Sequence, residues 1–200
     1  MTDETPFRHV EVLERNTAYQ GYIRVEQMTL RHSLSTGGMS QPMRREAVRL
    51  GRSVVVLPYD PVRDLVVMIE EFRAPPFVVG GPGWMRQLPA GAVEAGEEMA
   101  HAAMRELHEE AGLDAREMIP IAQIFESPGI LDLCCHVFCA LVEVAAPGPL
   151  PTRGIDEEDI TVLALPAEQV IADALEGRIQ HGPSLAPLLW LAIKRPSLRK

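Results

Sequence analysis

An α/β fold, a three-layer α/β/α sandwich about a mixed sheet preceded by a small N-terminal β subdomain, is what this 200-residue sequence predicts. Three observations lead there. From about residue 48 onward, apolar runs of strand length alternate with segments of helical period. The first 45 or so residues differ, holding only strand-like pieces. The composition, 46% hydrophobic and 24% charged, is that of a soluble globular chain with enough material for a full core in one ordinary domain and an appended element. The expected boundary places the β subdomain at 1–47 and the larger domain at 48–200.

Taken in order, two strand-like pieces fall at about 18–30 and 31–48, broken at Ser35-Thr36-Gly37-Gly38. Strands follow at 52–58 and 65–71, joined by PYDPVRD, in which Asp60-Pro61 is a strong turn signal. The stretch APPFVVGGPG, 74–83, is too rich in Pro and Gly for regular structure. Good helix formers then run from about 98 to 111, and Gly112 is expected to stop them as a left-handed cap. Ala100, Ala103, Leu107 and Ala111 recur at helical spacing as a narrow apolar stripe. Cys134, Cys135 and Cys139 all lie in LDLCCHVFCALVEV, which predicts a strand at 133–144 buried on both faces; without a C-x-x-C pair, reduced buried thiols are expected rather than a zinc site. A strand at 160–165 leads into a helix opening at Pro166 and ending at Gly177. An amphipathic helix from about 184 to 194, carrying Leu188, Leu189, Trp190 and Ile193, closes the chain.

The formal net charge of −9, with no basic stripe to offset it, argues against binding a nucleic-acid backbone. The acidic start MTDETPFRHV lacks the apolar core of a signal peptide, and no run of about 18 apolar residues suggests a membrane span, so a cytoplasmic protein is expected.

The densest signal lies in GAVEAGEEMAHAAMRELHEEAGL. Gly91, Glu97, Arg105, Glu106, Leu107, Glu109, Glu110, Gly112 and Leu113 fill the spacing G-x5-E-x7-R-E-U-x-E-E-x-G-U, where U is a bulky aliphatic residue. At ordinary residue frequencies its seven identities recur by chance about once in 10^8 windows, so coincidence is set aside. Gly91 and Gly96 bracket an acidic turn as two permissive residues. Glu106, Glu109 and Glu110 are three and four residues apart, neighbours on a stripe adjoining the apolar one. Carboxylates that close raise one another's pKa unless a cation intervenes, and a hard divalent ion such as Mg2+ prefers such oxygens together with phosphate. Arg105, four residues before Glu109, can tie down the helix or Glu97.

This spacing resembles that of the Nudix hydrolases, with no position missing. The resemblance implies that Glu106 and Glu110 ligate metal, that Glu109 ligates or supports, that the Ala90 carbonyl adds a ligand, and that Glu97 orients Arg105 or reaches the metals through water. YQGYIRVEQMTLRH, MSQPMRREAVRLGRSVVVLPYDPVRDLVVMIEEFR, ESPG with Pro128, DEEDI and EGRIQHGPSLAPLLWL extend the likeness to bacterial ADP-ribose pyrophosphatases. On that likeness Tyr22 stacks on adenine, Arg45 and Arg73 contact the ribose-phosphate, and Asp132 sits in a loop that touches the distal sugar. The acidic loop supplies Glu158 as a late metal ligand and either Asp156 or Glu157 as the base. Two departures stand out: Leu133 replaces a usual glutamate after Ser127-Pro128-Gly129, and Gln87 stands where an acidic residue is frequent.

The expected activity is Mg2+-dependent hydrolysis of a nucleoside diphosphate sugar, with Mn2+ as a substitute ion. ADP-ribose would yield AMP and ribose 5-phosphate. The altered 130–133 loop keeps another NDP-sugar, such as GDP-mannose, as the alternative. A non-catalytic ligand sensor is disfavoured by the intact spacing. The N-terminal segment resembles the part relatives exchange between subunits, so a homodimer is expected.

Overall fold

The computed structural model describes residues 8–153 and 159–199. The chain divides into two compact units, Met1–Gly51 with Ser127–Leu133, and Arg52–Glu126 with Cys134–Lys200.

In the first unit, β1 (Val10–Gln20), β2 (Arg24–His32) and β3 (Met43–Arg49) form an antiparallel sheet in the order β1-β2-β3. Three strands therefore stand where two pieces were expected. The break missed from sequence is the turn at Gly21–Ile23, and residue 47 lies within β3. Nearly every β1 side chain is exposed, so this strand carries no buried face to reveal it. Segment 127–133 joins the sheet through a parallel bridge between Val48 and Leu131 and through Asp132. The Asp132 carboxylate accepts from Arg49 Nε at 2.5 Å and from the Leu50 and Gly51 N–H groups at 2.6 and 3.0 Å. Burial pushes this carboxyl up, but those three donors outweigh it and hold it below the usual carboxylate range.

The second unit is built on β4 (Arg52–Asp60), β5 (Leu65–Phe72), β6 (Trp84–Gln87), β7 (Ala90–Ala92), β8 (Glu117–Phe125), β9 (Cys134–Leu141), β10 (Gly148–Arg153) and β11 (Ile160–Pro166), with helices α1 (Ala74–Val78), α2 (Met99–Ala111), α3 (Ala167–Leu175) and α4 (Gly182–Leu198). Its mixed sheet runs β10-β11-β5-β4-β9-β8, with β6 paired to β5 and β7 to β4. The β4–β9 pair is parallel and leaves both strands central. Central strands alternate their apolar side chains between two layers. Val54, Val56, Val67 and Ile69 face α2 through Ala102, Ala103 and Leu107. Val55, Leu57, Val66 and Met68 face α3 and α4 through Val170, Leu188 and Leu191. Each fully buried aliphatic side chain contributes about 1.5–3 kcal/mol, so two such layers account for a sandwich rather than a single-sided sheet.

The three cysteines are free and buried on β9, as expected of that apolar run. Gly112 caps α2 in the left-handed region at φ 65. Strands β8 and β10 escaped the sequence reading because both contain proline. Pro120 sits at a register shift in β8, and β10 is an edge strand, the two places a sheet tolerates it. The 74–83 segment holds the short helix α1 after all. Helix α4 runs longer than expected, and its buried face is Ser184, Pro187, Leu188 and Leu191, with Ile193 exposed. No helix among the described residues is long and apolar enough to cross a membrane.

Candidate active site

The site forms where α2 crosses the sheet above β7. Ala90–Ala92 pair with Val55–Ser53 of β4, which fixes this main chain beneath the helix. The buried stripe of α2 is Ala102, Ala103, Glu106, Leu107, Glu110 and Ala111, while Ala100 is exposed. The stripe is thus rotated from the one expected, and it takes two glutamates inward with it. Glu106 is 8% and Glu110 6% exposed. Glu110 accepts the Ala90 N–H at 2.8 Å, and a Cβ on Gly91 would stand only 2.0–2.4 Å from the Glu106 carboxylate. Gly91 has no positive φ; that belongs to Gly96, at +83. The first glycine therefore provides space and only the second provides backbone freedom.

Arg105 gathers the remaining acids. Its guanidinium reaches both Glu97 oxygens at 3.0 and 3.1 Å, Glu106 at 2.7 Å, Glu109 at 3.0 Å and the Ala92 carbonyl at 3.0 Å. The bonds to Glu97 are the main reason Arg105 is held well above its usual value, and they hold Glu97 correspondingly low.

Glu110 has no such partner among these bonds. Burial is the main cause that pushes it up to about 8; the Ala90 N–H opposes, Glu71 and Glu106 add repulsion, and Arg73 opposes in turn. Among the described residues no group of three or more His, Cys, Asp or Glu side chains converges on one point. The reason is visible: Glu106 and Glu109 turn toward Arg105 while Glu110 turns to Ala90. The available donors are nonetheless all oxygens along one edge of α2, the set a hard divalent cation prefers.

Beside this face, Glu71, Arg73 and Gln87 form a polar cluster. Gln87 is fully buried; its amide donates to Glu71 at 2.6 Å and accepts from Arg73 Nε at 3.2 Å, while Arg73 also pairs with Glu71 at 2.5 Å. The amide, with a donor and an acceptor at its end, serves a carboxylate and a guanidinium at once. His181 and Ser184, unremarked in sequence, lie close by. The Ser184 hydroxyl accepts the Leu88 N–H at 2.8 Å and lies 2.7 Å from His181 Nδ1. Burial, with Arg73 adding repulsion, pushes His181 down to about 4. Two isolated polar residues at a helix start carry no sequence signal of such a role.

The other expected site residues are placed as follows. Tyr22 is fully exposed at the β1–β2 turn. Arg45 is exposed on β3 and bonds its neighbour's carbonyl, Arg44 O, while Glu46 pairs with Gln27. Asp132 serves as the intrachain clamp described above, which accounts for it without a substrate. Asp156, Glu157 and Glu158 lie outside the described residues.

Two outcomes are expected from this geometry. Gly91→Ala should displace the Glu106 carboxylate, lowering turnover by at least tenfold while the melting temperature moves by only a few degrees. Unchanged turnover would show that the close approach is dispensable. For Glu110, the folded state holds a proton that the unfolded chain releases, so stability falls as pH rises toward about 8. Between about pH 7.5 and 8, above the range in which the unfolded chain protonates His181, the melting temperature in chelator should drop. Saturating Mg2+ or Glu110→Gln should flatten that slope, and a slope identical in the variant would refute the assignment.

Comparison with known proteins agrees with this architecture. The NUDIX domain model matches residues 49–186. ADP-ribose pyrophosphatase of Escherichia coli (strain K12) is 33% identical over 190 residues, covering 95% of this chain and 91% of that protein. GDP-mannose pyrophosphatase of Salmonella arizonae is 30% identical over 152 residues, covering 74% and 77%. A crystal structure of an ADP compounds hydrolase superposes with a TM-score of 0.65 at 21% identity, covering 92% of this chain and 95% of that one, and so shares the fold. With the family model spanning well over half of the chain and the complete G-x5-E-x7-R-E-U-x-E-E-x-G-U spacing mapped onto α2 and the turn before it, the chain belongs to the Nudix hydrolases, enzymes that cleave pyrophosphate bonds.

Proposed function

We propose that this protein hydrolyses the diphosphate of a nucleoside diphosphate sugar in the presence of Mg2+, with ADP-ribose as substrate. The observation that carries the chemistry is the pair of buried carboxylates, Glu106 and Glu110, packed against the Ala90–Gly91 main chain. The likeness to ADP-ribose pyrophosphatases over nearly the whole chain supports the substrate.

In this reading Glu106, Glu110 and the Ala90 carbonyl hold the cation, with Glu109 beside them and Glu158 as a further ligand. When bound, it neutralises the diphosphate and makes a nearby water more acidic. Asp156 or Glu157 takes a proton from the attacking water. A new P–O bond forms, the bridging P–O bond breaks, and the departing phosphate carries away the electron pair, giving AMP and ribose 5-phosphate from ADP-ribose. Arg73, held by Gln87 and Glu71, offers its fork to a phosphate oxygen. Arg105 keeps the acidic face of α2 from repelling itself apart. Tyr22 and Arg45 contact the nucleotide. The exposed apolar residues of edge strand β1, Val10, Val12 and Leu13, support a homodimer through the N-terminal unit.

One observation favours a second reading, hydrolysis of another NDP-sugar. The 130–133 loop presents no glutamate, and Asp132 in it is spent on Arg49 and the Leu50 and Gly51 N–H groups. A panel of ADP-ribose, GDP-mannose and ADP-glucose with Mg2+, products resolved by chromatography, should give AMP from ADP-ribose at the highest kcat/KM. A higher value for GDP-mannose would shift the substrate and locate the change in this loop. Glu110→Gln should lower kcat by about 10^3-fold or more while circular dichroism stays native. A near-normal rate in that variant would remove Glu110 from the machinery.

A further inference from the structure

We infer that Ser184 and His181, at the start of α4, are positioning residues of the active site, holding the Leu88–Ala90 main chain against the acidic face of α2. The inference rests on the reading of Glu110 and the Ala90 carbonyl as cation ligands.

Residues 87–90 cross from β6 to β7 and are gripped at every position. The Gln87 side chain is tied to Glu71 and Arg73. The Leu88 N–H donates to Ser184 Oγ at 2.8 Å. The Pro89 carbonyl accepts the Val56 N–H at 2.9 Å, and the Ala90 N–H donates to Glu110 at 2.8 Å. Three of these grips come from β4, β5 and α2, elements that already make up the site. The fourth comes from α4, 96 residues further along the chain.

Helix formation does not explain Ser184. It is fully buried, and α4 has no side-chain hydrogen bond at its cap. The hydroxyl is directed instead at a main-chain donor on another element, and His181 fixes its rotamer from the other side at 2.7 Å. Leu88 itself is fully buried, so removing the hydroxyl takes away the partner its N–H has in the fold. Ala90, two residues on, presents its N–H to Glu110 and its carbonyl to the cation. A drift of Leu88 therefore displaces two site groups together. Groups that orient metal ligands in this way typically change affinity by about 10–100-fold when removed.

The test measures Mn2+ binding by electron paramagnetic resonance of the free ion, alongside turnover as a function of Mg2+, on the full chain. Ser184→Ala is expected to weaken Mn2+ about tenfold and to raise the Mg2+ needed for half-maximal turnover by the same factor. KM for the nucleotide at saturating Mg2+ should stay within about twofold, because the substrate contacts are not on this segment. His181→Ala, which keeps the hydroxyl but frees its rotamer, should move Mn2+ affinity in the same direction by less. Leu191→Ala, two turns along the same buried face, should lower the melting temperature and leave Mn2+ affinity alone. If Ser184→Ala melts early but binds Mn2+ like the wild type, its role is purely structural and the inference falls. Should Ser184→Ala not fold, unchanged Mn2+ affinity in His181→Ala overturns it equally. Glu110→Gln separates the two levels: if it also binds Mn2+ like the wild type, the cation reading itself is wrong, whereas loss there with retention in Ser184→Ala overturns only the positioning role.

Discussion

Glu106 and Glu110 lie on the buried face of α2, and taking two carboxylates out of water is the demand that the surrounding residues meet. Isolated buried charges are expensive, so each needs a partner or must change protonation. Glu106 meets the demand through Arg105, which is itself fixed by a two-pronged bond to Glu97 and by the Ala92 carbonyl. Glu110 meets it only in part, with one main-chain N–H, and burial leaves it high. A helix that buried only alanine and leucine here would pack more favourably. In the function proposed above, a bound cation would complete what the protein leaves undone.

That arrangement explains why so much of the second unit converges on four residues of main chain. The 87–90 segment must lie close enough to α2 for Ala90 to reach Glu110 and for Gly91 to clear Glu106. The register of β7 on β4 sets its height, and β4 is held in turn by its parallel pairing with β9. Gln87 and Leu88, successive residues, point their polar attachments to different elements, one through its side chain and one through its N–H. Leu88 belongs to the core layer shared with α3 and α4, and its polar neighbours Ser184 and Gln87 are fully buried.

Much of the large unit was legible in the sequence because its signals are local. Strands at 52–58 and 65–71 appear as β4 and β5, and helix α2 ends at Gly112 in the left-handed conformation that its position suggested. Where local signals conflict with the final structure, an identifiable force intervenes. Pro120 and the prolines of β10 concealed strands that tolerate them at a register shift and an edge. Ala100 looked like a core residue by spacing alone, yet Glu106 and Glu110 occupy the buried stripe that a polarity count assigns to solvent. The partners of Asp132, namely Arg49 and two main-chain donors, likewise carry no local signal.

The sequence by itself determined the family, the helix that bears the acidic residues, the identities of those residues and the class of bond they act on, because all of these reside in one contiguous run with fixed spacing. Tertiary structure alone decided what each residue does there. Gly91 and Gly96 are the same letter, but one leaves room for a carboxylate and the other adopts a positive φ. Gln87 and Ser184 are unexceptional polar residues until β5, β6 and α4 bring them, fully buried, against the groups they serve. The physical reason is one of range: periodicity and capping act over a few residues of chain, whereas desolvation, steric clearance and the partner of a buried donor are set by residues far along it, 96 positions away for Leu88 and Ser184.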